Sequence, residues 1–133
     1  MKIEYCDYVT RSMVQNNRHK LFLFGDNLAR KGYGGQAKNM RGEPNSAGIP
    51  TKKYPGLDTT FHFFTDRELE YNCRAIDKAL SDIRSRISMF GYGVIVIPKA
   101  GIGTGLARMQ DFCPITFTYL QERLKEIEKW DFA

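Results

Sequence analysis

The sequence predicts one α/β domain, on three observations. Tyr92–Ile97 (YGVIVI) is a run of apolar, largely β-branched residues without polar alternation. That is the pattern of a strand buried on both faces, as at the centre of a parallel sheet. Thr65–Ser88 carries a single apolar stripe at Leu69, Cys73, Ile76, Leu80, Ile83 and Ile87. The 4-3 spacing makes it a helix with one apolar face, which a sheet would cover. The order of elements is strands first, then helix, strand, helix, an α/β layout. A chain of 133 residues is long enough for one core but not for two, so residues 1–133 read as a single domain.

The elements follow in chain order. Lys2–Val9 alternates loosely through Ile3, Tyr5, Tyr8 and Val9 and reads as a strand at a sheet edge. Asp7 in it either faces a ligand or is simply exposed. Arg11–Lys20 is polar, a loop or short helical turn. Residues 20–24 (KLFLF) have the length and composition of a buried strand. After a glycine-rich loop, Gln36–Met40 reads as a short helix and Arg41–Ser46 as a turn. Ala47–Pro50 reads as a short strand, and Thr51–Gly56 as a loop with adjacent lysines. Thr60–Phe64 is aromatic and reads as extended, with His62 a packed residue. Thr65 with Glu68 three residues on predicts a capping box at the start of the long helix, and Gly91 its end. A last helix begins near Pro114, with Phe117, Leu120, Leu124 and Ile127 as its buried stripe.

Two glycine loops stand out. The first, Gly25–Gly35, runs from the end of the first apolar strand towards Gln36; the second is Pro98–Leu106 (PKAGIGTGL). Glycines let a backbone approach an anion, and helix-start amides point at it with a favourable dipole. Neither loop is a Walker A sequence or a clean G-x-G-x-x-G fingerprint. Both follow directly on apolar strands. In open α/β sheets, ligands bind beyond the carboxyl ends of parallel strands. If the two strands are parallel neighbours, the loops form two walls of one cleft suited to a diphosphate. On that geometry, Gly103→Val is expected to block the phosphate path while the domain stays folded.

Composition bounds the rest. Hydrophobic content is 42% and charged content 26%, ordinary for a globular protein. No apolar run approaches a membrane span, and MKIEYCDY lacks the apolar core of a signal peptide. Cys6, Cys73 and Cys113 lie far apart, which suits reduced thiols in the cytoplasm and shows no zinc or disulfide framework. A net charge of +5, with pI near 9.2, favours anionic partners such as nucleotides or nucleic acid.

In ordered combination these motifs resemble the macrodomain family of ADP-ribose-binding proteins, closest to the branch of DNA ADP-ribosyl glycohydrolase antitoxins. The carrying residues are Asn27, Gly32-Tyr33-Gly34-Gly35-Gln36-Ala37, Ile49-Pro50-Thr51-Lys52 and Pro98-Lys99-Ala100-Gly101-Ile102-Gly103-Thr104-Gly105-Leu106. The resemblance implies a mixed, largely parallel sheet between helices, three layers in all. It implies that Asn27 contacts the distal ribose and helps place an attacking water. Gly32, Gly34, Gly35, Gln36 and Thr51 would hold the ligand on one side, and Gly101, Ile102, Gly103, Thr104, Gly105 and Leu106 on the other. Lys52 matches the lysine that the branch uses on ADP-ribosylated DNA; a lysine with lowered pKa can act as base or nucleophile at C1″. No cofactor is implied. Two departures stand out. The strand ends Phe24-Gly25-Asp26-Asn27 rather than Asn-Ala-Ala-Asn, so Asp26 is an extra acid that serves as a base, bonds ribose hydroxyls or caps a turn. Lys53–Asp58 lacks the branch's His-Trp. The implied partner is ADP-ribose or an ADP-ribosylated macromolecule, nucleic acid among them. The implied activity is hydrolysis of the ADP-ribosyl bond, the alternative being a binding module without turnover.

Overall fold

In a computed structural model, which describes residues 1–57 and 61–132, four strands form one sheet in the order β1-β4-β2-β3. The strands are β1 (Lys2–Cys6), β2 (Lys20–Asn27), β3 (Ser46–Lys52) and β4 (Val94–Pro98). Five helices accompany them among the described residues: α1 (Arg11–Gln15), α2 (Ala37–Met40), α3 (Leu69–Phe90), α4 (Met109–Phe112) and α5 (Pro114–Glu126). Every strand pair in the sheet is parallel, and the antiparallel component is reduced to an isolated bridge between Lys52 and Phe63. The long helix α3 is not long and apolar enough to cross a membrane, nor is any other described helix.

The sheet has an apolar core on each face. Leu21, Leu23, Ile49, Ile95 and Ile97 pack against Ile76, Leu80, Ile83 and Ile87 of α3 and Leu120 and Leu124 of α5. Phe22, Phe24 and Val96 face the other way, onto Val14 of α1 and Ala37 and Met40 of α2. This is strand alternation at work: successive residues of β2 supply opposite cores. Each fully buried side chain of this size contributes about 1.5–3 kcal/mol. The connections through α1 and α2 both move one way across the sheet and share a face. The return from β3 to β4 through α3 takes the other face, as a single crossover hand requires.

The start of the long helix differs from expectation. Thr65 makes no side-chain cap; Asp66–Glu68 form a 3-10 turn, and α3 begins at Leu69 and runs to Phe90. Asp66 serves another helix instead. Its carboxylate accepts the N–H groups of Ile115 and Thr116, each at 3.0 Å, and the Thr116 hydroxyl at 2.8 Å, in the first turn of α5. Burial pushes the Asp66 carboxyl up, but these donors outweigh it and hold it below its usual range. The capping box lies at α1, where Thr10 Oγ1 accepts from Met13 N at 3.2 Å. Leu69, Cys73 and Phe117, expected on buried stripes, are only half-buried. Gly91 ends α3 as expected, in the left-handed region at φ 71°. β1 is an edge strand as read but stops at Cys6, and β2 runs on to Asn27. In the aromatic Thr60–Phe64 segment, Thr60 lies outside the described residues, as does Asp58 of the preceding loop.

Two further features position the site. β2 and β4 pair only from Lys20↔Val94 to Phe22↔Val96, and beyond that the central strands part. The stretch Arg41–Ser46, read as a plain turn, is a knot of hydrogen bonds. Asn45 is fully buried, and its amide donates to the carbonyls of Val14, Asn17 and Lys20. Glu43 accepts from Gln15, Arg18 and Arg11, which together hold its carboxyl below the usual range. On the outer side of β3, Arg86 caps the Ser46 carbonyl at 2.9 Å and Arg30 the Gly48 carbonyl at 2.7 Å, while Pro50 has no N–H to offer.

Candidate functional site

Where β2 and β4 part, a cleft of about 650 Å³ opens at the carboxyl ends of the strands. Its floor is bare backbone: Gly25 is exposed in the middle of β2 although its neighbours Phe24 and Asp26 are buried. Thr51 stands beside that floor, and the buried Ile102 side chain packs close to it, both at about van der Waals distance from where a Gly25 side chain would begin.

Both glycine loops line this cleft. From the first come Gly32, Gly34, Gly35 and Gln36; from the second Gly101, Gly103, Thr104, Gly105 and Leu106. The loops touch. A Cβ on Gly34 would lie 2.9 Å from the Leu106 side chain, and one on Gly32 would lie 2.8 Å from Pro55. The first loop therefore crosses the cleft, packed against the second loop on one side and against Pro55, in the segment after β3, on the other. Asp26, Asn27, Thr51 and Lys52 complete the set, with Asp7 at the rim. Ile102 is the exception among the expected ligand residues. It does not line the cleft; its side chain is buried in the core, and its carbonyl accepts from Gln121 Nε2 at 3.0 Å. It is the peg that fixes the second loop.

Asp26 is buried and fully engaged. Arg41 grips both of its oxygens, Arg30 reaches one at 3.3 Å, and the Asn27 N–H donates to the other at 2.8 Å. Gly48 leaves the room: a Cβ there would lie 2.5 Å from Asp26 Oδ2. Arg30 reaches in from a left-handed turn at φ 57°. Arg41 also donates to the Gly32 carbonyl at 2.7 Å, so this ion pair anchors the first loop. Of the roles open to Asp26, fixing the turn is the one this geometry fits, since no lone pair is left for a proton.

Lys52 is in the opposite condition. It is buried, and its ammonium donates to the Gly56 carbonyl at 2.7 Å and lies 5.0 Å from the centre of the Phe63 ring. Among the described residues no carboxylate pairs with it. Burial holds its pKa below the ordinary lysine value, because the charged form loses hydration without gaining a counter-ion. Asn27 lies opposite Lys52 in the strand register. Its Nδ2 donates to the Lys31 carbonyl at 2.8 Å, whereas its Oδ1 is buried with no partner among the described residues, which leaves an acceptor open.

Other expected contacts turn out to be structural. The Gln36 amide pins Val9, accepting from its N–H at 2.8 Å and donating to its carbonyl at 3.1 Å. Thr51 Oγ1 donates to the Asp26 carbonyl at 2.9 Å. Asp7 is largely exposed and pairs with Lys99 at 3.5 Å. Sequence reasoning missed Arg41, Phe63 and Tyr8. Tyr8 lines the cleft with its hydroxyl held by Asn39 at 2.8 Å. Arg41 sits in a stretch whose only local signal is a turn, so nothing nearby marks it as Asp26's partner. Among the described residues, no group of three or more His, Cys, Asp or Glu side chains is placed to hold a metal. With Asp26 neutralised, Lys31, Lys38 and Lys52 leave the lining positive, a setting for an anion.

No curated protein and no solved structure matches this chain. A family model does, over residues 4–123, and on that match the chain belongs to DUF7831, a family of unknown function.

Proposed function

We propose that the cleft binds ADP-ribose or an ADP-ribose-like nucleotide and hydrolyses an ADP-ribosyl bond on nucleic acid or protein. The observation that carries this is the meeting of two glycine loops, far apart in sequence, over one bare-floored cleft with a lysine that has no carboxylate partner among the described residues. The diphosphate lies between the loops, where backbone amides and positive side chains favour it. The distal ribose lies towards Asn27, whose unpartnered Oδ1 accepts from a hydroxyl. Lys52, in the form that has lost its own proton, takes one from water as that water adds to C1″. The bond from C1″ to the macromolecule breaks, and the proton passes to the released group. The three cysteines are free, which supports a cytoplasmic setting.

A second reading is a binding module without turnover. It is favoured by the commitment of Asp26 to two arginines, which leaves Lys52 as the one base in the reactive end among the described residues.

Calorimetric titration with ADP-ribose, AMP and NAD tests binding, and release of ADP-ribose from modified DNA, RNA and protein tests turnover. Gly105→Val is the variant of choice. A Cβ there meets nothing within 4 Å, so the domain stays folded while ADP-ribose affinity falls at least about tenfold. Retained affinity removes the second loop from the site. Gly103, the position the sequence suggested, is unsuitable. It lies at φ +91°, and a Cβ there would strike the Met109 sulfur, so Gly103→Val damages the core rather than the ligand path.

A further inference from the structure

The two edges of the sheet are not alike. The edge at β3 is closed by Arg30, Arg86 and Pro50; the edge at β1 is open along Ile3 and Tyr5, while at its start the Met1 ammonium donates to the Glu128 and Trp130 carbonyls of its own chain. The Lys99 N–H donates to the Cys6 carbonyl at 2.6 Å, so the backbone groups of Lys2, Glu4 and Cys6 point towards β4. By strand alternation those of Ile3 and Tyr5 point outward. Among the described residues, no hydrogen bond from beyond the sheet reaches either. We propose that this edge is a self-association surface, where a second copy of the chain adds its β1 antiparallel to give a two-fold dimer.

The sequence of the strand favours its own reverse. With the two-fold axis at Ile3, the outward N–H and C=O of Ile3 face those of the partner's Ile3, a hydrogen-bonded pair. Lys2 then lies opposite the partner's Glu4, and Glu4 opposite the partner's Lys2, so opposite charges face each other twice. Both are accessible, with side chains 70% and 36% exposed; within one chain they pair loosely with each other at 3.9 Å, and Glu4 with Lys20 at 2.8 Å through its other oxygen. On the other face of the strand, exposed Tyr5 meets the partner's Met1 beside half-buried Ile3. A shift by one residue would set Lys2 against the partner's Ile3 and lose both charge pairs. Pairing in this register makes one eight-stranded sheet, four strands from each copy, with the two clefts at opposite ends. The surface buried is small, so the dimer forms at about 0.1–1 mM rather than nanomolar concentration.

Sedimentation velocity on the untagged full chain from about 10 µM to 1 mM tests the proposal. The wild type should show a weight-average coefficient that rises with concentration. Lys2→Glu places Glu against the partner's Glu4 and should weaken association about tenfold; its exposed position leaves the fold untouched. Tyr5→Pro removes an outward N–H and puts a ring in the partner's path, so association should vanish with the circular dichroism spectrum retained. A wild type that stays monomeric at 1 mM overturns the proposal and assigns the edge to some other extended chain. Association unchanged in Lys2→Glu overturns it too, whatever Tyr5→Pro does to folding.

Discussion

Adjacent strands of this sheet each end in a buried charge, and the two charges are treated in opposite ways. At the end of β2, Asp26 is held by Arg41, Arg30 and a backbone N–H. At the end of β3, Lys52 has a carbonyl and an aromatic face and, among the described residues, no counter-ion. A buried charge with its partners in place fixes geometry, and removing one partner is costly. A buried charge without a counter-ion is held in a state that favours losing its proton, which is the condition of a base. The difference makes the first part of the architecture and, on the proposed reading, the second the site of the chemistry.

The largest effect expected follows from breaking the paired charge. Asp26→Ala leaves Arg41 without a counter-ion and frees the Gly32 end of the first loop. It should cost about 3 kcal/mol, or about 10 °C in melting temperature by scanning calorimetry. A loss below about 1 kcal/mol would erase the contrast between the two sites.

Lys52→Met should do the reverse. Stability should hold within about 1 kcal/mol, while turnover on an ADP-ribosylated substrate falls at least about tenfold, some 1.4 kcal/mol in barrier. The pH dependence sharpens this. Burial places the folded pKa of Lys52 below the unfolded 10.5, so the unfolded chain holds that proton more tightly. Between the two values stability therefore climbs as pH rises, and Lys52→Met removes that part of the slope in urea titrations. Turnover climbs with pH over the same range as the amine becomes neutral. A flat rate profile would remove Lys52 from the base assignment.

The smallest effect is expected at Arg30→Ala. Its side chain is 46% exposed and 3.3 Å from Asp26, so the loss should stay below about 1 kcal/mol by denaturant titration. A larger value would show that Asp26 needs both arginines.

What the sequence made legible was local. The apolar runs of β2 and β4, the stripe of α3 and the two glycine loops are written in neighbouring residues; β2, β4 and α3 are all present, though β2 runs on to Asn27 and α3 starts four residues later than expected. What it hid depends on partners far along the chain. Thr65 and Glu68 have the spacing of a capping box, yet the residue between them, Asp66, is drawn to α5, about fifty positions away. Asn45 looks like turn filler, and its worth lies in three carbonyls between Val14 and Lys20. Lys52 could be named from its motif, but its want of a counter-ion among the described residues is a property of the folded surroundings. α4 is four residues long, too short for any periodic signal.

The arginines on β3 bear on how far this protein could assemble. A sheet that offered pairing groups on both flanks could recruit copies without end and grow into a fibre. With one flank occupied by its own guanidinium groups, recruitment stops once the opposite flank is filled. Any growth through β1 closes at a pair, so the chain can keep one sticky side without the hazard of polymerising.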